Sequence, residues 1–474
     1  MLERTDYRDY LPYLIIIIAY LVFSLPYSPF LEHLGYDKEI FQYIGMTIKN
    51  NLKPYSDTFD HKPPLIYLLN YLGVLLTPGS TWGIFSIMNL IGFISSLLIY
   101  RLSLSKSKDF ILSIFITVLY ISLINHISLL QGGNLTRQFT TYLSTVILFI
   151  VFGTRRSNFN CVLLGFLIGT VFFMQQNEIL SGSIVIVYYL FFEKDFVFSS
   201  LKKSFFRIGY FVCGLLVPFI STLYLINFWD NFDDFIYQVF LFNVDSYINK
   251  DSFVRKILNT LYKLLTFKSL IGVALLSVMN IGYNVIMNKK INMTPPLAVI
   301  AISFLFQIVS TSISGKLYGH YFLMFIPYAI CLFIFSLKDK NHKYLNLFTY
   351  GLVIVIALSS IRPWSYTKPD KRLFALLSHE IEYLKDTPGQ FYTFNPQYLR
   401  VNFELNINAP TKYIYTHFFD KNDYDSLIKS FETNSTKYIL YHSEKIIPKE
   451  LKSFISSNYS EVIRNSEYIL YKHN

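Results

Sequence analysis

Apolar runs close to the length of a membrane span recur along the first 361 residues, at about 11–27, 81–100, 110–130, 139–153, 159–175, 179–193, 207–228, 267–287, 295–312, 321–337 and 344–361. A helix needs about 20 apolar residues to cross a hydrocarbon core of ~30 Å. The pattern therefore predicts a mainly α, polytopic membrane protein with about eleven transmembrane helices. The polar breaks between runs alternate in character. "RLSLSKSK" at 101–108, "TRR" at 154–156, "KDFVFSSLKKSFFR" at 194–207, "NKK" at 288–290 and "KDKNHK" at 338–343 carry the basic residues. Lys and Arg concentrate in cytoplasmic loops, so these face in. The N-terminus is then cytoplasmic, and residues 362–474 are extracytoplasmic.

The run "PLIYLLNYLGVLL" at 64–76 is ambiguous by hydropathy alone. As a helix it reaches only ~20 Å, short of the bilayer core. If it crossed, every later basic loop would face outward, so it is expected to lie in the interface or re-enter. Upstream, "DKEIFQYIGMTIKNN" places Ile40, Ile44 and Ile48 at a spacing of four, an amphipathic stripe. The first external loop, 28–80, is thus expected to hold two interfacial helices, the second starting at Pro63–Pro64, where a missing N–H costs little. Beyond 361 the apolar runs shrink to strand length: "QFYTF" at 390–394, "KYIYT" at 412–416, "KYILY" at 437–441 and "EYILY" at 467–471. Helical stretches such as "DYDSLIKSFET" separate most of them. The expected organisation is a transmembrane domain over 1–361 and a small α/β extracytoplasmic domain over 362–474.

Composition agrees with a membrane class: 53% hydrophobic and only 15% charged, against about a quarter charged in soluble domains. The net charge of +11 resides largely in the short basic loops, so no nucleic-acid partner is implied. The N-terminal run lacks a small-residue cleavage site and is not read as a cleavable signal peptide. Cys161, Cys213 and Cys331 all sit inside apolar runs, which points to packing rather than to a disulfide or metal set.

Charged residues cluster at the external ends of spans. Asp37 opens the amphipathic stretch, where it can cap a helix, act as a general base at the membrane face, or both. Asp57, Asp60, His61 and Lys62 sit in "DTFDHKPPL". A solvated loop accounts for them, and so does an anion site held rigid by the prolines behind it. His320 in "GKLYGHYFLMFIPY" is either a polar partner at the interface or, with Lys316, a grip for a phosphate. Asn134 and Arg137 in "QGGNLTRQF", and Asn177 and Glu178 in "QQNEIL", either end helices or contact substrate. Asp230, Asp233 and Asp234 read as a solvated acidic loop.

The segment 35–73, with its acidic start, small-residue helix, "KPYSD" turn and "HKPP" junction, resembles the first external loop of GT-C membrane glycosyltransferases. It is most similar to the family 39 and aminoarabinose-transferase-like branch, which is related to the protein O-mannosyltransferases. "GHYFLMFIPY" and "QGGNLTRQF" resemble further segments of that family, although Arg137 and Gln138 stand where a carboxylate is common and Lys38 separates Asp37 from Glu39. The resemblance implies a transferase that moves a sugar from a polyprenyl-phosphate donor to a lipid, glycan or protein acceptor at the outer face of a bacterial inner membrane. Asp37 would take the acceptor proton, and Lys62, His320 and Arg137 would answer the charge developing on the leaving phosphate. Asp60, His61 and Lys316 complete the expected substrate-binding set. No cofactor is expected, and an obligatory divalent metal is not favoured, since no ligand set accompanies Asp37 and Glu39. The rival readings are a flippase or transporter, which should show intramembrane charges in matched halves, a membrane-anchored binding protein working through residues 362–474, and a polysaccharide polymerase or ligase.

Overall fold

The computed structural model describes residues 10–31, 35–193, 197–247, 252–288, 294–337, 350–351, 354–355, 379–414, 421–442, 447–464 and 468–474. The helices, in chain order, are α1 (Leu11–Ser24), α2 (Tyr36–Lys49), α3 (Leu65–Leu76), α4 (Trp82–Ser107), α5 (Phe110–Ile124), α6 (Ile127–Leu130), α7 (Thr136–Gly153) and α8 (Asn158–Phe172). There follow α9 (Ile179–Phe191), α10 (Leu201–Trp229), α11 (Phe232–Ile236), α12 (Phe242–Tyr247), α13 (Phe253–Thr266), α14 (Lys268–Asn288), α15 (Pro295–Ile313) and α16 (Phe325–Ser336). Each predicted span up to 337 thus coincides with a helix. The predicted span 344–361 lies outside the described residues except at four positions.

Among the described residues, α4, α10, α15 and the run Gly319–Ser336 are long and apolar enough to cross a membrane. A fifth span is added if α13 and α14, bent by 90° at their junction, count as one. α1 with its extension to Tyr27, α3, α5 and α8 are apolar but shorter. The protein is therefore a polytopic, mainly helical membrane protein; among the described residues, fewer helices reach full span length than there are apolar runs. Polar breaks explain part of the difference. The run 110–130 stops at Asn125 and restarts as α6, with His126 as its N-cap.

The chain divides into two compact units: residues 1–27, 88–225 and 243–366 form the first, and 28–87, 226–242 and 367–474 the second. In the first unit, α8 and α10 approach until Gly165 and Gly214 touch the facing backbone. A Cβ at either position would lie 1.9 Å from a carbonyl oxygen, Phe211 O or Val162 O. Such small-residue seams are how apolar helices pack when lipid offers no hydrophobic contrast. α15 packs on α9, α13 and α16.

In the second unit α2 and α3 form a hairpin with a tight seam of its own: a Cβ on Gly45 would meet the Asn70 carbonyl carbon at 2.7 Å. The C-terminal part folds as a four-stranded sheet, β1 (Phe391–Thr393), β2 (Tyr438–His442), β3 (Tyr459–Arg464) and β4 (Tyr468–His473), in the order β1-β2-β4-β3. β1 and β2 run parallel, and the other pairs are antiparallel, with Leu440 opposite Leu470. Alternate residues serve two cores. Phe391, Tyr438, Leu440 and Leu470 face Tyr398, Val401 and Ile407, while Tyr392, Ile439 and Tyr459 face Leu427, Phe431, Leu451 and Ile455. Three predicted strands are found. The run 412–416 is not a strand at its described positions 412–414, and β3 was unforeseen because its residues are mostly exposed.

Candidate active site

The loop 28–80, expected to be external, belongs wholly to the second unit. α2 starts behind Gly35, whose extended backbone serves as N-cap, and Asp37 sits in the first turn without capping by its side chain. Asp37 is half-buried, and its carboxylate has no hydrogen-bond partner among the described residues. Glu39, two residues on, points the other way. It is 0% exposed, and Lys38 Nζ stands 4.0 Å from its carboxylate. Burial pushes the Glu39 carboxyl above its ordinary value, against the pull of Lys38 and Arg400.

The polar turn after α2 is built around Tyr55. This residue is fully buried, with φ of +73°, a conformation in which a bulky side chain is an outlier. Its N–H bonds Thr58 O (2.9 Å) and its carbonyl accepts from Gln238 Nε2 (2.6 Å). Its hydroxyl donates to the carbonyl of Lys62 (2.9 Å). Burial, and then the Asp60 charge, push the Tyr55 phenol well above its ordinary value, so it stays a donor. Asp60 is turned inward, 3% exposed, and accepts from Tyr67 OH (2.7 Å) and from the His61 N–H (2.8 Å). Its carboxylate is therefore already engaged in organising the turn. His61 Nδ1 lies 3.4 Å from Asp60 Oδ1, and its ring packs beside Phe242. Lys62 is half-buried, and its ammonium has no ion pair among the described residues. Pro63 and Pro64 follow, with Pro64 as the N-cap of α3.

Arg137, Lys316 and His320 belong to the first unit. Residues 131–134, "QGGN", all take positive φ, which explains the paired glycines. This curl sets Gln131 Oε1 2.7 Å from His320 Nδ1. The His320 ring stacks on Tyr318 and meets the edge of Tyr321. Arg137 is not an exposed cation. It is 2% exposed, with Nε 2.8 Å from Glu178 Oε1 and its guanidinium 3.2 Å above the Tyr321 ring. Gln307 Nε2 donates to the other Glu178 oxygen (2.8 Å). Gln307 Oε1 in turn accepts from Ser181, whose hydroxyl accepts from Tyr328 OH. Lys316 is exposed. Asn177, flagged beside Glu178 as a possible contact, instead donates to Ser310 O (3.1 Å).

Two features escaped the sequence. The Glu178–Arg137 pair joins two span ends that were read separately, and opposite charges at neighbouring ends were its only signal. α13 was not foreseen, although Phe253, Val254, Leu258, Leu261, Tyr262 and Leu265 form an exposed apolar face at helical spacing. Its Lys256 is buried and reaches Ile313 O (3.4 Å), beside Gly315. No group of three or more His, Cys, Asp or Glu side chains placed to hold a metal occurs among the described residues.

Residues 5–347 match the family described as "Putative competence-induced protein Ccs4 N-terminal domain". The chain belongs to this family. No curated protein sequence matches it. Among solved structures it is similar to ArnT from Cupriavidus metallidurans bound to undecaprenyl phosphate, with a TM-score of 0.59, 12% identity and 97% of each chain covered. The apo form of the same protein is similar with a TM-score of 0.51, 12% identity and 98% of each chain covered. Such low identity with such full coverage shows the fold: this family member has the architecture of ArnT, as the GT-C resemblance implied.

Proposed function

We propose that this Ccs4 family member is a membrane glycosyltransferase that moves a sugar from a polyprenyl-phosphate donor to a lipid, glycan or protein acceptor. The reaction would run at the outer face of a bacterial inner membrane, with residues 362–474 extracytoplasmic. The observation that carries the proposal is the ArnT-like fold over 97% of both chains, in a chain whose loop 28–80 presents Asp37 and Lys62, neither with an ion pair among the described residues. The ArnT structure holds undecaprenyl phosphate, which supports a donor of that class here. Asp37, on the first turn of α2, would accept the proton of the attacking acceptor hydroxyl. Lys62 would answer the charge on the departing phosphate, with its backbone held by Tyr55 and His61 beside it. Lys316 and His320 would contribute further substrate contacts. Arg137 and Asp60 would act through neighbours, Arg137 by seating Tyr321 and Asp60 by shaping the turn.

The test is turnover by the purified protein in nanodiscs with a panel of polyprenyl-phosphate sugars, read as release of polyprenyl phosphate. At least one donor should turn over, and Asp37→Asn should reduce the rate about 10²-fold or more with folding retained. Equal rates for wild type and Asp37→Asn would remove Asp37 as base. Transport of an intact lipid-linked sugar without release of its phosphate would favour a flippase.

A further inference from the structure

Within the second unit, residues 405–414, "LNINAPTKYI", are neither helix nor strand, yet Ile407 and Ile414 are fully buried. One side of this stretch is fastened to β1 and to the turns beside the sheet. Gly389 N–H donates to Asn408 O (2.8 Å), Asn434 Nδ2 to Pro410 O (3.1 Å) and Tyr392 OH to Tyr413 O (3.1 Å). The other side holds both arms of the first external loop. Asn50 Nδ2, at the C-terminal end of α2, donates to Asn406 Oδ1 (2.9 Å) and Asn408 Oδ1 (3.0 Å). Ala409 N–H donates to the buried Tyr43 hydroxyl on α2 (2.7 Å). Lys412 O accepts from the N–H of Phe59 (2.7 Å), the residue before Asp60, and the Tyr413 ring lies 5.8 Å from that of Phe59.

We infer that residues 405–414 are a positioning strap: they fix the offset between α2, which carries Asp37, and the turn that carries His61 and Lys62. The C-terminal region is then a working part of the site and not an appended module. The inference rests on the proposed function for its kinetic consequence. Hydrogen bonds on both sides set the strap's geometry, and a displacement of about 1 Å in a reacting group can cost ~10²-fold in rate.

Hydrogen exchange and donor kinetics on the full chain in nanodiscs test it, with Tyr413→Leu, Tyr413→Phe and Asn50→Ala. Loss of the aromatic pair in Tyr413→Leu should speed exchange at Phe59–Lys62 by about tenfold, with α2 unchanged, and raise the donor KM by a similar factor with kcat within about twofold. Tyr413→Phe keeps the ring and should behave as wild type. Asn50→Ala should speed exchange at the end of α2 and lower kcat rather than raise KM. Unchanged exchange at 59–62 in Tyr413→Leu would overturn the strap. So would acceleration spread through β2 and β4, which would mark general destabilisation, or faster exchange at 59–62 with an unaltered donor KM. If the wild type turns over no donor, the glycosyltransferase reading fails, and exchange alone still decides whether the strap holds the turn.

Discussion

Arg137 and Glu178 form an ion pair at 2.8 Å with side chains 2% and 0% exposed. Arg137→Met strands a buried carboxylate that keeps Gln307 Nε2 as its one short donor, beside the hydroxyl of Ser310 and the amide of Asn177 at 3.4 Å. Glu178→Gln strands a buried guanidinium over the Tyr321 ring, a contact worth ~2 kcal/mol when desolvated, so this change should be the milder. Breaking a buried pair by removing one partner costs about 3–5 kcal/mol, because the remaining charge is uncompensated. Removing both together is far cheaper. The double variant Arg137→Met/Glu178→Gln should therefore lose less than the sum of the singles, with a coupling of about 2–3 kcal/mol. The assay is reversible unfolding in mixed micelles, followed by far-ultraviolet circular dichroism across the four proteins of the cycle. Singles that each lose under ~1 kcal/mol, or losses that simply add, would refute the reasoning and return Arg137 to the pool of substrate cations.

Lys62→Met should raise the donor KM more than His320→Ala, because a fixed ammonium answers phosphate charge and a neutral imidazole gives one hydrogen bond; equal effects in donor kinetics would contradict this ranking. Glu39, raised by burial, binds its proton more tightly folded than unfolded, so its contribution to stability is complete below its ordinary value of 4.5 and is lost as pH rises through the raised value. Glu39→Gln should flatten that part of the thermal-stability profile, and a profile parallel to wild type would show that Glu39 is not its source. Ser80→Cys and Ser456→Cys, in a background lacking Cys161, Cys213 and Cys331, should react with an impermeant thiol reagent added from outside; protection of both, with a labelled cytoplasmic-loop control, would reverse the orientation.

The helices were legible because each apolar run is local and long, and so was the start of α3 behind Pro64, since proline acts on its immediate neighbours. The "QGGN" curl was visible as glycine but not as a clasp on His320, because Gln131 and His320 are separated by 189 residues. The partners of Asp60 and Arg137 were invisible for the same reason. A charge in an external loop looks available until its partner, Tyr67 or Glu178, is known. Glu39 is the reverse case: a residue set aside for its spacing is the most deeply buried carboxylate of the loop among the described residues. The run 412–416 has strand composition, but Lys412 O is committed to Phe59 rather than to a ladder.

The second unit is assembled from three stretches of chain, 28–87, 226–242 and 367–474. At the ~5–20 residues per second of ribosomal synthesis, the first of these waits on the order of 15–60 s for the third to begin emerging. During that interval α2 and the polar turn exist without Asn406, Asn408 and Lys412 to hold them. A nascent or truncated chain therefore inserts its apolar helices long before its external loop acquires a fixed shape. If the proposed transferase reading holds, its chemistry would be deferred until translation is nearly complete, and a premature stop would yield an inserted but inert protein.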